Sequence, residues 1–256
     1  MTIRRLTLLA LPGIPLVEPG DDLAALVLRA LEAAGERLRP GDVLVLAQKI
    51  VSKAEGRYVD LREVEPSERA RALAAEAQKD PRLVEVILSE SREVVRHRPG
   101  VVIVAHRLGF VSANAGVDHS NVEQVGADER VLLLPRDPDG SARALAAALR
   151  ERTGVAPAVI VNDSHGRAWR NGTCGVAIGA WGIEPLADLR GAPDLFGRPL
   201  QVTTVGVADE IAAAASLLMG QAGEGTPVVL LRGLDPRPSE TGAAALVRPK
   251  EQDLFR

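Results

Sequence analysis

Val159-Ile160-Val161-Asn162-Asp163-Ser164 (residues 159–164) is a short β-branched run that passes without a spacer into a carboxylate and a hydroxyl. Such a run reads as a buried strand. A carboxylate directly after it stands where open sheets present functional groups to a cleft. Asp42 to Ala47 repeats the pattern, an apolar strand-like run giving way abruptly to Gln48-Lys49. Val228 to Leu231 is a closing strand of the same type, and Leu6 to Ala10 is an opening one, stopped by Leu11-Pro12-Gly13-Ile14-Pro15. Further strands are predicted at Val101 to Ala105, at Val131 to Leu134 and across the alternating stretch Phe110 to Val117. Helical spacing follows a cap at Asp21 or Asp22, with Leu23, Leu26, Val27, Ala30, Leu31 and Ala34 on one face. Other helices are predicted from Ser67, over Arg82 to Ser91, over Ser141 to Glu151, and over Ile211 to Met219 with Ile211, Ala214, Ala215 and Leu218 facing inward. Helices and strands mix without a regular βαβ repeat. The expected class is therefore α+β, an irregular mixed α/β fold, occupying residues 1–248 and followed by a loose polar tail over 249–256.

Composition narrows the function classes. A chain of 256 residues can bury a sizeable core. Aromatics are only 2%, so that core must be built from Ala, Val, Leu and Ile. A net charge of −3 gives no basic field for a nucleic acid, and stacking platforms for bases are missing. The single cysteine, Cys174, excludes an intramolecular disulfide and suits a reducing cytoplasm. It reads as buried packing, and His97 and His106, which flank a strand, as structural. No secretory signal is expected, because after Met1-Thr2-Ile3-Arg4-Arg5 the apolar run is short and broken by Pro12 and Gly13. No run approaches the roughly 20 apolar residues of a membrane span.

Three loop-like clusters carry the chemistry. They are Asn114 to Asn121, Asn162 to Arg167, and Met219-Gly220-Gln221-Ala222-Gly223-Glu224-Gly225-Thr226. Asp, Asn, Ser and Gln offer hard oxygen ligands, and Gly lets backbone amides approach an anion. Spaced about fifty residues apart, they read as one site assembled from three loops, for a metal-assisted reaction on a phosphorylated substrate. Asp118 and Asn121 are three apart, a carboxylate and an amide suited to Mg or Mn. His119 faces solvent in this reading. Asp163-Ser164 alone would be a turn cap, but Arg167, Arg170 and two glycines follow, which suits phosphate. Lys49 and Lys53 are four apart, so both can face one anion. Read alone they are a solvated pair of exposed cations, whose removal should leave the melting temperature nearly unchanged. The Gly-rich stretch after residue 219 either cradles phosphate or caps a helix.

Taken together and in this order, Leu-Pro-Gly-Ile at 11–14, Ala-Gln-Lys-Ile-Val-Ser-Lys-Ala-Glu-Gly-Arg at 47–57, Asn-Ala-Gly-Val-Asp-His-Ser-Asn at 114–121, Asn-Asp-Ser-His-Gly-Arg-Ala-Trp-Arg at 162–170 and Met-Gly-Gln-Ala at 219–222 resemble one family. It is the gamma-glutamyl ligase family acting on the precursor of the deazaflavin coenzyme F-420, and the resemblance runs from about residue 7 to about 233. It implies a two-lobed homodimer of α+β type with its site near the dimer interface. It implies a GTP-dependent cytoplasmic ligase joining a carboxylate of the precursor to the amine of L-glutamate, with later gamma-linked additions. Carried over by position, Asp118 and Asp163 would hold one divalent ion, Mg or Mn, and Ser164 and Gln221 would help hold a second; a monovalent cation such as K is a further expectation. Leu11, Pro12, Gly13, Ile14, Gln48, Lys49, Lys53, Asn121 and the loop from Met219 to Thr226 would contact the nucleotide. Arg167 and Arg170 are assigned to phosphate or carboxylate binding. Some relatives continue into a nitroreductase-like flavin domain, so the chain is expected to be either a free-standing form or a ligase half.

Two rival readings use the same residues. A metal-dependent phosphohydrolase would turn over nucleotide without glutamate. A non-enzymatic nucleotide-binding module would keep Gly13, Lys49 and Lys53 but have no need of both aspartates.

Overall fold

The computed structural model describes residues 4–124 and 129–254. Its centre is a five-stranded mixed sheet formed by β1 (Thr7–Ala10), β2 (Val43–Ala47), β8 (Ala158–Arg167), β9 (Arg170–Trp181) and β12 (Val228–Arg232), in the order β1-β12-β2-β8-β9. Only β2 and β8 run parallel; every other neighbour is antiparallel. Both faces are covered, which is why β2 reads as a continuous apolar run. Leu44, Leu46, Val159 and Val161 pack with α1 (Leu23–Ala33) and α5 (Pro138–Thr153). Val43, Val45 and Ile160 pack with α6 (Val207–Met219) on the other face.

Local sequence sets the helix ends. Asp22 caps α1 by accepting from the Ala25 N–H at 3.0 Å. In α5, Asp137 accepts from Gly140 N–H at 2.9 Å, Pro138 supplies a first-turn φ, and Gly154 ends the helix at φ +76°. A second packing unit joins α3 (Glu68–Ala77) and α4 (Pro81–Ser89) to a three-stranded sheet, β4 (Ser91–Arg98), β5 (Val101–His106) and β6 (Val111–Ala113). The two-stranded ribbon of β3 (Tyr58–Asp60) and β7 (Arg130–Leu132) links the units. The short helix α2 (Gln48–Ala54) follows β2 directly, and a small ribbon joins β10 (Ala187–Asp188) to β11 (Thr204–Val205). The fold is α+β, as expected.

Several local expectations are corrected. The helix predicted to Ser91 stops at Ser89, and Ser91 opens β4, in which Val94 and Val95 stand side by side among charged residues and give no period-two signal. Phe110 to Val117 is not one strand. Asn114, Ala115 and Gly116 take φ of 51°, 54° and 64° in succession, which ends β6 and turns the chain toward Asp118. The inward face of α6 is Ala208, Ile211, Ala212, Ala215 and Met219, while Leu218 is exposed. In the described part of the tail, Lys250 Nζ donates to Glu93 Oε2 at 2.6 Å. Phe255 and Arg256 of that tail lie outside the described residues, as do 1–3 and 125–128 of the expected domain.

Candidate active site

The site begins where β2 becomes α2. Because α2 starts immediately, Lys49 and Lys53 lie one turn apart and reach the same neighbouring loop. Lys49 Nζ pairs with Asp118 Oδ2, and Lys53 Nζ donates to the Asn121 carbonyl at 2.7 Å. The other oxygen of Asp118 accepts from Ser120 N–H at 2.9 Å and from Ser120 Oγ at 2.7 Å. Backbone bonds in both directions between Asp118 and Leu132 fix that turn on the β7 strand. Both carboxylate oxygens of Asp118 are thus held.

The third loop is tied to the other two. Asn121 Nδ2 donates to the Ala222 carbonyl at 3.1 Å. Ser164 Oγ donates to Gln221 Oε1 at 2.7 Å. Within the loop, Glu224 Oε2 accepts from Ala222 N–H at 2.8 Å, and Thr226 Oγ1 donates to the Leu218 carbonyl at 3.0 Å, capping the end of α6. Three segments far apart in sequence therefore meet as one polar cluster.

Its charges are mutually adjusted. Burial lowers the Lys49 ammonium below its usual range, Lys53 adds to that, and Asp163 opposes it. Burial likewise lowers Lys53. For Asp163, burial favours the neutral acid, but it is outweighed. His165 Nε2 lies 2.9 Å from Asp163 Oδ2, Ser164 N–H and Lys49 add to the attraction, and the carboxyl sits below the ordinary carboxylate range. Lys49 is therefore a half-buried counter-ion of two carboxylates, not the exposed cation expected from sequence.

Among the described residues no three His, Cys, Asp or Glu side chains gather as a metal cage. The oxygen donors linked there are Asp118, paired with Lys49, Asp163, which the Lys49 charge also reaches, and the Ser164 hydroxyl bonded to the Gln221 amide oxygen. That set fits a hard divalent cation whose shell is completed by phosphate oxygens and water. Lys49 already neutralises the same carboxylates.

Other sequence assignments fall elsewhere. Asp163 is not at a strand's end: β8 runs on to Arg167 and pairs with β9, with a register shift between Val161 and Asn162. Arg167 and Arg170 lie exposed at the turn of that hairpin, four or more residues beyond Asp163, roughly 13 Å along a strand. Arg167 donates to the carbonyls of Asn171 and Gly172 at 3.3 and 3.4 Å, so the structure does not bring either arginine into the cluster. Gln48 is buried and accepts from Ser52 Oγ at 2.8 Å. Leu11 and Met219 are core residues, while Pro12 and Gly13 are exposed and Ile14 half-buried beside the start of β12. Cys174 is half-exposed, not buried packing. His119 is exposed, and His106 is buried against Phe110, rings 5.1 Å apart and stacked. Sequence reading assigned no part to Ser120 or His165, although both lie inside quoted motifs. Their signal was the Asp-x-Ser and Asp-x-His spacing, which lets each side chain reach the carboxylate two residues before it.

Carboxylates, amides and lysines drawn from separate elements to one end of a sheet define an enzyme-like site on an α+β frame. The description of the F420-0:gamma-glutamyl ligase family matches residues 13–233, and the chain belongs to that family. It is 48% identical to the coenzyme F420:L-glutamate ligase of Methanothermobacter thermautotrophicus, over 98% of this chain and 99% of that protein. It is 49% identical to the protein of the same name from Methanopyrus kandleri, over 94% and 93%. With that of Archaeoglobus fulgidus it shares 43%, over 98% and 97%.

Proposed function

We propose that this chain is a GTP-dependent ligase that joins L-glutamate to the deazaflavin precursor F420-0, through an acyl phosphate on the precursor's carboxylate. Family membership and relatives named coenzyme F420:L-glutamate ligase support the substrates. The observation that carries the mechanism is the tying of Lys49, Lys53, Asp118, Asn121, Ser164 and the 219–226 loop into one cluster. A carboxylate acylates an amine poorly until it is phosphorylated, and charge accumulates on the transferring phosphoryl group. Asp118 and Asp163 would hold one Mg or Mn ion, and Ser164 and Gln221 would contribute to a second. Such ions, when bound, neutralise phosphate charge and hold the reacting oxygens in line. Lys49 and Lys53 add positive charge to the phosphates, while Asn121, Gly13 and the glycines of the 219–226 loop contact the nucleotide. The amine of glutamate then attacks the acyl carbon; the C–N bond forms as the bond to phosphate breaks, and phosphate leaves.

We further infer a cytoplasmic homodimer, supported by the single cysteine and by apolar Leu195 and Phe196 on the surface. Among the described residues no helix is long and apolar enough to cross a membrane. The deciding experiment measures phosphate and glutamylated precursor in one tube, with each nucleotide and metal in turn. One phosphate per glutamate, with slow GTP breakdown when precursor or glutamate is omitted, is expected. Rapid precursor-independent phosphate release without amide would promote the phosphohydrolase.

A further inference from the structure

His165 does more than hold Asp163. Its ring also forms part of the wall of a cleft of about 640 Å³. The cleft is walled by apolar Phe110, Ile178 and Val247 and carries charges of opposite sign on Asp209 and Arg248. We propose that this cleft receives the incoming amino acid, with Asp209 facing its ammonium group and Arg248 a carboxylate. The inference rests on the ligase reading and adds to it the place of the second substrate.

Asp209 lies in the first turn of α6, and its Oδ1 accepts from the Ala177 N–H of the edge strand β9 at 2.9 Å. Burial raises its carboxyl above the ordinary range against the opposing pull of the Ala177 N–H and of His165, and no lysine or arginine figures among those groups. A carboxylate on the wall of a cleft with no lysine or arginine of its own is a receptor for a cation that arrives with a ligand. The other wall carboxylates, Asp137, Asp139 and Asp253, are engaged. Asp139 Oδ1 accepts from both Ala180 and Ala243 N–H at 2.8 Å, and Asp137 caps α5. Arg107 is tied to Glu90 at 2.6 Å, which leaves Arg248 as the arginine on this wall outside any ion pair among the described residues.

Charge decides between the two substrates. A zwitterion with an extra carboxylate matches a wall on which Asp209, with no lysine or arginine partner, stands with the guanidinium of Arg248. The precursor, which presents a carboxylate to be joined, would be repelled by Asp209. The position also fits the reaction, because the wall of the cleft is one hydrogen bond from Asp163.

Asp209→Asn is the informative variant, since the amide oxygen can still accept from Ala177 while the charge is gone. Glutamate and 2-hydroxyglutarate, which lacks the ammonium, are titrated calorimetrically into the wild-type chain and the variant, and glutamylation kinetics are run beside them. The wild type should prefer glutamate, and the variant should lose at least tenfold in glutamate affinity and lose that preference. KM for glutamate should rise by a similar factor with KM for precursor and the melting temperature nearly unchanged. Arg248→Gln should weaken both ligands. A wild type that does not bind glutamate, a variant with unchanged glutamate affinity, or a variant whose KM rises for the precursor instead overturns the assignment. Charge-dependent glutamate binding without amide formation would uphold the cleft and remove the ligase reading. Normal ligation with an indifferent Asp209→Asn would do the reverse.

Discussion

Removing Lys49 should destabilise the metal-free protein, and a divalent cation should restore what is lost. Lys49 and Asp118 are each 25% exposed, and Lys49 also feels Asp163. A charge-assisted hydrogen bond of this kind contributes about 1.5–3 kcal/mol. Partial exposure places this pair near the lower end, about 2 kcal/mol, because solvent screens it. In a domain of this size each kcal/mol moves the melting temperature by about 2–4 °C, so Lys49→Ala should melt about 4–8 °C below wild type. Lys49→Met keeps most of the stem and should show most of the same loss, since charge rather than packing is at stake. The second half is more discriminating. In the wild type the proposed divalent ion would compete with an ammonium for the same two carboxylates; in the variant it would have no rival. Millimolar Mn should therefore raise the melting temperature of Lys49→Ala more than that of wild type and close most of the gap. Scanning fluorimetry at pH 7.5, in chelator and in Mn, is sufficient. Equal melting in chelator would return Lys49 to a solvated surface cation. Equal stabilisation by Mn would mean that ion and lysine do not share ligands.

Asp163→Asn and Asp118→Asn should fold yet lose at least a hundredfold in glutamylation, because an amide is a weak ligand for a hard cation; near-normal turnover of both at saturating metal would remove the shared ion. Gly116→Ala should be destabilised by about 2–5 kcal/mol, since a left-handed φ costs a residue with Cβ about 1–2 kcal/mol and crowding a packed core adds about 1–3. Gly116 sits at φ +64° with Leu134 Cδ1 2.7 Å from the added carbon, whereas Gly13, at φ +75° with nothing within 4 Å, should lose only the backbone part. Equal melting of the two alanine variants would refute the Leu134 contact. Burial lowers the His106 pKa from 6.5 to about 4 against a weaker pull from Glu90, so the unfolded chain binds this proton first. That stability is whole above pH 6.5, falls as pH drops toward 4, and amounts to roughly 3 kcal/mol. His106→Asn, whose Oδ1 can replace Nδ1 as acceptor for Leu108 N–H, should flatten the slope of melting temperature across that window.

The sheet was legible where both faces are buried. Val43 to Leu46 and Val159 to Val161 can only be interior, and their β-branched and leucine content selects strand. The polar cluster was legible because Asp118, Asn121, Asp163, Ser164 and Gln221 are oxygen-bearing residues with glycines nearby, although Asp163 and Ser164 stand within β8 and not in a loop. β9 was not. Its first residues, Arg170-Asn171-Gly172-Thr173, are exposed and polar because they form the projecting end of a hairpin, and out of context they suit a phosphate loop equally well. β4 escaped for a related reason, since its pairing with β5 rather than its own side chains makes it a strand. The burial of Lys49 is invisible to spacing rules, which place it on a helix face but cannot say that another loop folds over that face. Asn114 and Ala115 in left-handed conformation are equally opaque, because two of the three residues in that turn are not glycine.

Strand direction explains why most of the site collects where it does. β2 and β8 are parallel, with Ala47 opposite Asn162, so the segment leaving β2 and the middle of β8 share one end of the core sheet. β12 is antiparallel to β2, with Val228 opposite Leu46, so the chain enters β12 at that same end, straight from the 219–226 loop. β1 is antiparallel to β12, with Ala10 opposite Val229, and therefore leaves at that end into Leu11 to Ile14. Four segments converge by topology alone, the arrangement that places ligands beyond the carboxyl ends of parallel strands in open α/β sheets. The Asp118 loop is the exception. It leaves the three-stranded sheet of the second unit, and no strand of the core sheet leads to it. Side chains bring it in: Lys49 through the carboxylate, Lys53 through the Asn121 carbonyl, and Asn121 through Ala222. Lys49 and Lys53 therefore attach the loop that carries Asp118, a part that sequence spacing alone could not separate from the phosphate charge proposed for them.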